Sequence, residues 1–208
     1  MNTLKKVLVI APHADDEILG CGGTINKLKT KNYEINLIIC SHRLNDDDVK
    51  IAKTTSNYKN FYHLNYKDEN LNTHLLIKSL EKIYEEIKPD IIFIPNKDDF
   101  NTDHQAVYKA CEVVLRRYQK HQPKQIIMYE VPSSTTQSFN NNFKCNYYIE
   151  LSDEDLKFKI DNFNIYDYEQ RLEPNPRNEN GLITYAKFRG MECNSKYAEG
   201  FNLIYSKS

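Results

Sequence analysis

A histidine and three acidic residues crowd into the segment His13-Ala14-Asp15-Asp16-Glu17. Imidazole nitrogens and carboxylate oxygens bind zinc at about 2.0–2.2 Å, and a catalytic zinc site uses three such ligands and leaves one position for water. His13 and Asp16 lie across a turn into a predicted helix, so their side chains can converge on one ion. Asp15 points elsewhere, and a carboxylate beside a metal site can take a proton from a bound water. The segment therefore predicts two ligands and the general base of a metal-dependent hydrolase.

A second acidic segment, Asp98 to His104, offers the third ligand. His104 is the best remaining candidate because it also follows a predicted buried strand. Asp103 is predicted to accept a hydrogen bond from a metal-ligating histidine, since ligating imidazoles usually donate their other N–H to a carboxylate or a carbonyl. His42 follows a strand too, and its role stays open. The other histidines lie in polar surroundings and are expected to be solvated surface groups: His63, His74 and His121.

Simpler explanations exist for parts of this pattern. Acidic residues at the start of a helix complement the helix dipole without any metal. The stretch Gly20-Cys21-Gly22-Gly23 suggests dinucleotide binding, but it lacks the G-x-G-x-x-G spacing and falls inside the predicted helix. These glycines are instead expected to let the helix pack closely on a sheet.

Strands and helices that alternate along the first part of the chain must position these groups. Continuous apolar runs are typical of strands buried on both faces, and they cover Val7 to Ile10 and Ile91 to Ile94. Further strands are predicted over Ile35 to Cys40, Phe61 to Tyr66 and Gln125 to Tyr129. Predicted helices cover roughly Ile18 to Lys29, Asp47 to Asn57, His74 to Ile87 and Ala106 to Tyr118. This alternation predicts an α/β fold with a mostly parallel sheet and helices on both faces. Such sheets bind ligands beyond the carboxyl ends of their strands.

The last third predicts a more irregular C-terminal extension. Its expected elements are a strand over Tyr147 to Leu151, a helix capped by Ser152 that runs to about Tyr168, a helix over Leu182 to Met191 and an edge strand over Phe201 to Tyr205. Glu173 to Asn178 is expected to be a rigid, exposed connector. No repeat or linker divides the chain, so residues 1–208 are predicted to form one domain.

Composition limits the classes of partner. With 208 residues, 40% of them hydrophobic and 27% charged, the chain has the make-up of an ordinary globular protein. A net charge of −1 argues against a broad electrostatic grip on nucleic acid or on an anionic membrane. No apolar run is long enough to span a bilayer and no signal peptide is evident. Five scattered cysteines suit a reducing compartment, so a cytoplasmic location is predicted, and a homo-oligomer is compatible with the sequence.

The segment Ala11 to Ile25 closely resembles the opening motif of the PIG-L/LmbE-like deacetylases. Thr102 to Val107 is similar to the second metal segment of that family, and weaker similarity continues through Tyr129 to Ser134 and Tyr197 to Phe201. The resemblance therefore extends over nearly the whole chain. It implies a Rossmann-like fold, one zinc ion per chain and removal of the N-acetyl group from N-acetylglucosamine units or related amino sugars.

The resemblance also implies residue roles. His13, Asp16 and His104 match the metal ligands of the family, and Asp15 matches its base, which deprotonates the attacking water. Oxyanion stabilisation by the metal and protonation of the leaving amine would complete the reaction.

The chain departs from the family pattern at three places. Ala14 replaces a proline, which should alter the rigidity of the turn but not its ligands. Asn101 stands where many members carry a histidine that helps to stabilise the oxyanion, and an amide cannot carry positive charge. His42 is a candidate substitute for that histidine. The segment after the second strand is also altered, so that Arg43 is a candidate substrate contact.

Two other functions remain open from the sequence. A sugar-binding member of the same fold with weakened catalysis is suggested by Asn101. A metal-assisted phosphoesterase is suggested by the clustered carboxylates, which also suit hard cations such as magnesium.

Overall fold

The computed structural model describes residues 4–42, 58–139 and 143–207. Within these ranges the strands are β1 (Lys6–Ala11), β2 (Glu34–His42), β3 (Asn60–Lys67), β4 (Ile91–Pro95), β5 (Gln125–Tyr129), β6 (Tyr147–Glu150) and β7 (Ala198–Ser206). The helices are α1 (Asp16–Thr30), α2 (Thr73–Ile87), α3 (Thr102–Val114), α4 (Asp153–Phe163) and α5 (Glu179–Glu192), with a short 3-10 helix at Asp167–Glu169. The helix predicted over Asp47 to Asn57 lies outside the described residues.

The seven strands form one sheet in the order β3-β2-β1-β4-β5-β7-β6. Strands β1 to β5 are parallel, whereas β7 runs antiparallel to β5 and to β6. The mostly parallel α/β sheet predicted from the sequence is therefore confirmed. After β1 the chain adds β2 and β3 on one side, and it then adds β4 and β5 on the other side of β1. The carboxyl ends of β1 and β4 therefore flank a topological switch point, where such sheets bind ligands.

Helices cover both faces of the sheet, as predicted. Val7 and Val9 point into a cluster with α1 and α4, and Leu8 and Ile10 point into a second cluster with α2 and α3. All four side chains are at most 2% exposed. This double burial explains why the strand reads as a continuous apolar run and not as an alternating one.

Helix α1 approaches the sheet closely through its glycines, as expected. A Cβ atom on Gly20 would lie 2.2 Å from Cδ2 of Tyr129 in β5, and one on Gly23 would lie 2.6 Å from Cδ1 of Leu151. An alanine at position 20 would overlap the ring of Tyr129, so the close approach of α1 to β5 requires glycine there. The helix is kinked at Cys21, whose backbone is not helical (φ −147°).

A buried ion pair ties α1 to the C-terminal part of the chain. Lys159 in α4 donates to Glu199 in β7 over 2.6 Å and to the carbonyl of Leu19 in α1 over 2.8 Å. Glu199 in turn accepts from the backbone N–H groups of Gly23 and Thr24. Both charged side chains are at most 7% exposed, so the pair and its hydrogen bonds satisfy each other away from water.

The C-terminal part is more regular than predicted. Strand β7 is not at the edge of the sheet, because it lies between β5 and β6 and pairs with both. The capping box of Ser152 and Asp155 starts α4 as expected, but the helix ends at Phe163 and the chain then enters the 3-10 helix. The connector is exposed only at its beginning, since Arg177 turns inward.

Helix α3 begins earlier and ends earlier than predicted. The side chain of Asn101 caps it by accepting from the backbone N–H of Asp103 over 2.8 Å, so that Thr102 is already helical. His104 is thereby placed in the first turn of the helix. Among the described helices, none has the length and apolar character needed to cross a lipid bilayer.

Candidate metal centre

The turn between β1 and α1 brings His13 and Asp16 together. The backbone N–H of His13 donates to Oδ2 of Asp16 over 3.0 Å, which closes the turn. Both the backbone N–H and the hydroxyl of Ser41 in β2 donate to the carbonyl of Pro12, which fixes the turn against the neighbouring strand. As a result, Nδ1 of His13 lies 3.2 Å from Oδ2 of Asp16.

His104 reaches the same carboxylate from the other side of the switch point. Because β1 and β4 are adjacent parallel strands, the residues that follow them meet at one edge of the sheet. Nε2 of His104 lies 3.1 Å from Oδ2 of Asp16, and the two imidazole rings are 5.3 Å apart. His13, Asp16 and His104 are 3%, 0% and 1% exposed, so the cluster is shielded from bulk water.

The geometry of these three residues fits a zinc ion. Two ligands bound at about 2.0–2.1 Å with a tetrahedral angle between them stand about 3.3 Å apart, close to the separations of 3.1–3.2 Å found here. The second carboxylate oxygen of Asp16, Oδ1, is buried and has no hydrogen-bond partner among the described residues. Two imidazoles and one carboxylate also form a donor set typical of catalytic zinc.

Electrostatic coupling among these groups is strong. Burial alone would raise the pKa of Asp16, but the charge and hydrogen bond of His104, with smaller contributions from His13, hold that pKa well below its usual range. Burial would lower the pKa of His104, yet the nearby carboxylates raise it to about 9. The pKa of His13 is likewise well above its ordinary value because hydrogen bonds to carboxylates outweigh burial. Since zinc binds neutral imidazole, metal binding here would release protons.

Outer carboxylates orient both histidines. Oδ2 of Asp99 lies 3.2 Å from Nδ1 of His104. Oδ1 of Asp68 lies 2.8 Å from Nε2 of His13, and Oδ2 of Asp103 lies 3.3 Å from the same nitrogen. Asp103 therefore stands behind a histidine, as its predicted supporting role requires. The histidine nitrogens that face the outer carboxylates differ from those that face Asp16, which is the arrangement that fixes the tautomer of a metal-ligating imidazole.

Asp15 has a cation beside its carboxylate. Its Oδ2 lies 3.1 Å from Nη1 of Arg177. Its backbone N–H donates to Oε2 of Glu17 over 3.0 Å, and Glu17 is itself held by the hydroxyl of Tyr166. Asp15 has a φ of 120°, a conformation that is strained for a residue with a Cβ. Neighbouring Asp15 and Asp16 thus have different partners, as the sequence predicted.

Sequence reasoning missed three residues of this site, namely Asp68, Asp99 and Arg177. Asp68 directly follows β3, and Asp99 lies in the loop after β4, so the rule that led to His104 points to both of them. Arg177 comes from a loop 162 residues away from Asp15, and no local pattern marks it.

The remaining predicted residues make other contacts or lie outside the described ranges. Asn101 caps α3, and its role toward an oxyanion stays a prediction. His42 ends β2 and packs its ring 6.0 Å from that of His63, while Arg43 lies outside the described residues. The expectation of solvated histidines is wrong for two of them, since His63 is half-buried and His121 is half-buried and hydrogen-bonded to the carbonyl of Pro89.

A parallel α/β sheet with a buried His/Asp/His cluster at its switch point defines a candidate metal-dependent enzyme of the Rossmann-like class. The sequence matches the PIG-L family, GlcNAc-PI de-N-acetylase, over residues 8–115. The chain belongs to this family of deacetylases. It is also 28% identical to the uncharacterized deacetylase YaiS of Escherichia coli over 148 residues, which are 64% of this chain and 77% of YaiS.

Solved structures share the fold. The N,N'-diacetylchitobiose deacetylase of Pyrococcus horikoshii superposes with a TM-score of 0.76 at 24% identity, covering 96% of this chain and 84% of that one. GalB, the 4-carboxy-2-hydroxymuconate hydratase of Pseudomonas putida, superposes with a TM-score of 0.77 at 14% identity, covering 99% and 98%. Because a deacetylase and a hydratase share this fold, the fold alone does not define the reaction.

Proposed function

We propose that this protein is a zinc-dependent hydrolase that removes the N-acetyl group from an N-acetylated amino sugar, of the N-acetylglucosamine type or a related glycan precursor. The observation that carries the proposal is the convergence of His13, Asp16 and His104 on one buried point, beside Asp15, in a chain of the PIG-L family. The deacetylase names of YaiS and of the diacetylchitobiose enzyme support the reaction class. The second of these names supports an acetylated sugar as the substrate.

In this proposal, one zinc ion per chain would be held by Nδ1 of His13, a carboxylate oxygen of Asp16 and Nε2 of His104. Zinc bound there would polarise the acetamide carbonyl and lower the pKa of a water. Asp15 takes a proton from the attacking water as the water oxygen forms a bond to the carbonyl carbon. The same carboxyl then returns the proton to the nitrogen as the C–N bond breaks, so that acetate and a free amine leave.

The surroundings of the cluster support these roles. Asp99 and the pair Asp68 and Asp103 keep the two imidazoles oriented, so that little reorganisation is needed when the substrate binds. Asn101 is proposed as a neutral hydrogen-bond donor to the oxyanion, and His42 and Arg43 as substrate contacts. Because β6 and β7 complete the sheet of β1 to β5, we also propose that residues 1–208 act as one domain.

The test is a panel of N-acetylated amino sugars, free and linked to nucleotide or lipid, monitored for free amine and acetate. Purified protein should contain about one zinc per chain, and a chelator should abolish turnover, which added zinc restores. Asp15→Asn should abolish turnover and keep the zinc, because the amide cannot accept the proton. Asp161→Asn, the same change on the exposed face of α4, is the matched control and should be fully active.

Other outcomes of this assay would favour the alternatives. Zinc and sugar binding without acetate release by any substrate would indicate a binding protein. Phosphate release that requires magnesium or manganese would indicate a phosphoesterase. Unchanged turnover in Asp15→Asn would refute the role of the base.

A further inference from the structure

The loop that follows the 3-10 helix closes on itself and delivers Arg177 to the site. The backbone N–H of Arg171 donates to the carbonyl of Arg177 over 2.8 Å, and the amide of Asn178 donates to the carbonyl of Arg171 over 3.1 Å. The backbone N–H of Arg177 donates to the side chain of Asn175. Leu172 at the tip is 91% exposed, whereas the side chain of Arg177 at the closure is only 13% exposed. The loop is therefore built to hold this arginine inward.

The guanidinium of Arg177 joins three segments around Asp15. Its Nη1 lies 3.1 Å from Oδ2 of Asp15 and 2.6 Å from Oε2 of Glu169 in the 3-10 helix. Its Nε donates to the hydroxyl of Ser133, in the loop after β5, over 2.9 Å. The planar fork of arginine suits such a shared arrangement, which a lysine ammonium cannot reproduce in full.

Asp15 requires this kind of support for two reasons. Its backbone is strained, with a φ of 120°, and a strained residue persists only when its surroundings hold it in place. It also stands in a run of three buried acidic residues, Asp15, Asp16 and Glu17, beside which the guanidinium of Arg177 offsets negative charge. Glu17 holds the backbone of Asp15 and the guanidinium of Arg177 holds its carboxylate, so that the two anchors together fix the direction of Oδ2.

We infer that Arg177 is the positioning residue of the proposed base, and that its guanidinium keeps the Asp15 carboxylate aimed for proton transfer. The inference rests on the function proposed above. Without the guanidinium, Asp15 relaxes away from the reacting water, while His13, Asp16 and His104 stay where their own hydrogen bonds place them. Displacement of a catalytic group by about 1 Å lowers turnover about 100-fold.

The test compares Arg177→Met with Arg171→Met. Arg171 belongs to the same loop and approaches the same Glu169 at 3.6 Å, but its side chain is 48% exposed. Arg177→Met should retain one zinc per chain, lose about 100-fold in kcat and change little in KM. Arg171→Met should keep kcat within about threefold of wild type, as an exposed ion pair contributes little. Guanidinium ions added to Arg177→Ala should restore part of the lost kcat, which a purely structural defect would not permit.

A readout without turnover accompanies the kinetics. Compared with the wild-type crystal structure, that of Arg177→Met should show the Asp15 carboxylate displaced and His13, Asp16 and His104 unmoved. If the methionine variant does not fold, Arg177→Lys replaces it. This change keeps the positive charge but removes the planar guanidinium, so a smaller displacement of the Asp15 carboxylate is expected. Wild-type protein without acetate release would overturn the proposed function, and the crystal structures would still decide the position of Asp15. An unmoved Asp15, or equal kcat in the two methionine variants, would overturn the inference.

Discussion

Replacement of Asp99 by asparagine should weaken zinc binding without disturbing the fold. The side chain of Asp99 is fully buried, and its Oδ2 accepts from the hydroxyls of Ser134 and Thr135 over 2.8 and 2.7 Å while facing Nδ1 of His104. Burial would raise the pKa of Asp99, but its hydrogen bond with His104 leads the effects that hold that pKa below the usual range. The ionised carboxylate therefore fixes the proton on Nδ1 and leaves Nε2 for a metal.

The expected magnitude follows from these contacts. Loss of an outer carboxylate behind a ligating histidine typically costs 10- to 100-fold in metal affinity, or about 1.4–2.7 kcal/mol. The upper half of this range applies to Asp99→Asn. The carboxylate of Asp99 accepts from two hydroxyls and from the backbone N–H of Asn101, and it also faces Nδ1 of His104. An amide has only one acceptor oxygen and cannot satisfy all of these groups. We therefore expect a loss of about 30- to 100-fold in zinc affinity.

Competition with a chromogenic chelator at fixed pH measures this affinity. Ser134→Ala is the matched control, because it removes one hydroxyl group that donates to Asp99 and leaves the contact between Asp99 and His104 in place. That variant should bind zinc within about threefold of wild type, since the hydroxyl of Ser134 acts on the site only through Asp99, to which Thr135 still donates. A zinc affinity of Asp99→Asn within twofold of wild type, with unfolding curves unchanged, would refute the reasoning.

Two further predictions concern the stability of helix α1 and its supports. Lys159→Met leaves Glu199 buried without its counter-charge and should lower the free energy of unfolding, measured in urea, by about 3–5 kcal/mol. Lys157→Met is the control, because 73% of that lysine side chain is exposed, and it should change the free energy of unfolding by less than about 0.5 kcal/mol. Equal effects of the two changes would contradict the buried pair. Gly20→Ala should cost about 1–3 kcal/mol or more, because its Cβ would overlap the ring of Tyr129. The cost should shrink in a Tyr129→Leu background, and strictly additive effects in thermal unfolding would argue against that overlap.

Much of the fold could be predicted because β1, β2, β4 and β5 are buried on both faces. Their apolar runs are local signals that do not depend on which strand pairs with which. The position of β7 could not be predicted in this way, since pairing between Gln125 and Ser206 joins residues that are far apart in the chain. A short apolar run near the end of a sequence has the same appearance whether it lies at an edge or inside a sheet.

Some residues of the candidate site could likewise be predicted from local sequence, and others could not. His13, Asp15 and Asp16 share one turn, and His104 follows a strand, so that residue type and local position were enough to find them. Asp68 and Asp99 carry a weaker form of the same signal, which becomes specific only when the segments that follow β3 and β4 are known to approach the same histidine pair. Arg177 carries none, because its role depends on a loop that folds back across the site.

The insertion of β7 between β5 and β6 has a consequence for the order of events during synthesis. Strand β6 is translated first, yet its hydrogen bonds in the sheet go to β7, which emerges about fifty residues later. Glu199, which fastens the kinked helix α1 through Gly23 and Thr24, arrives with the same late strand. On the ribosome, the parallel strands can assemble early while β6 has no partner. The helix that opens with Asp16 thus gains the hydrogen bonds of Glu199 only after β7 has been translated, and the candidate metal centre at its start shares this dependence on a late strand.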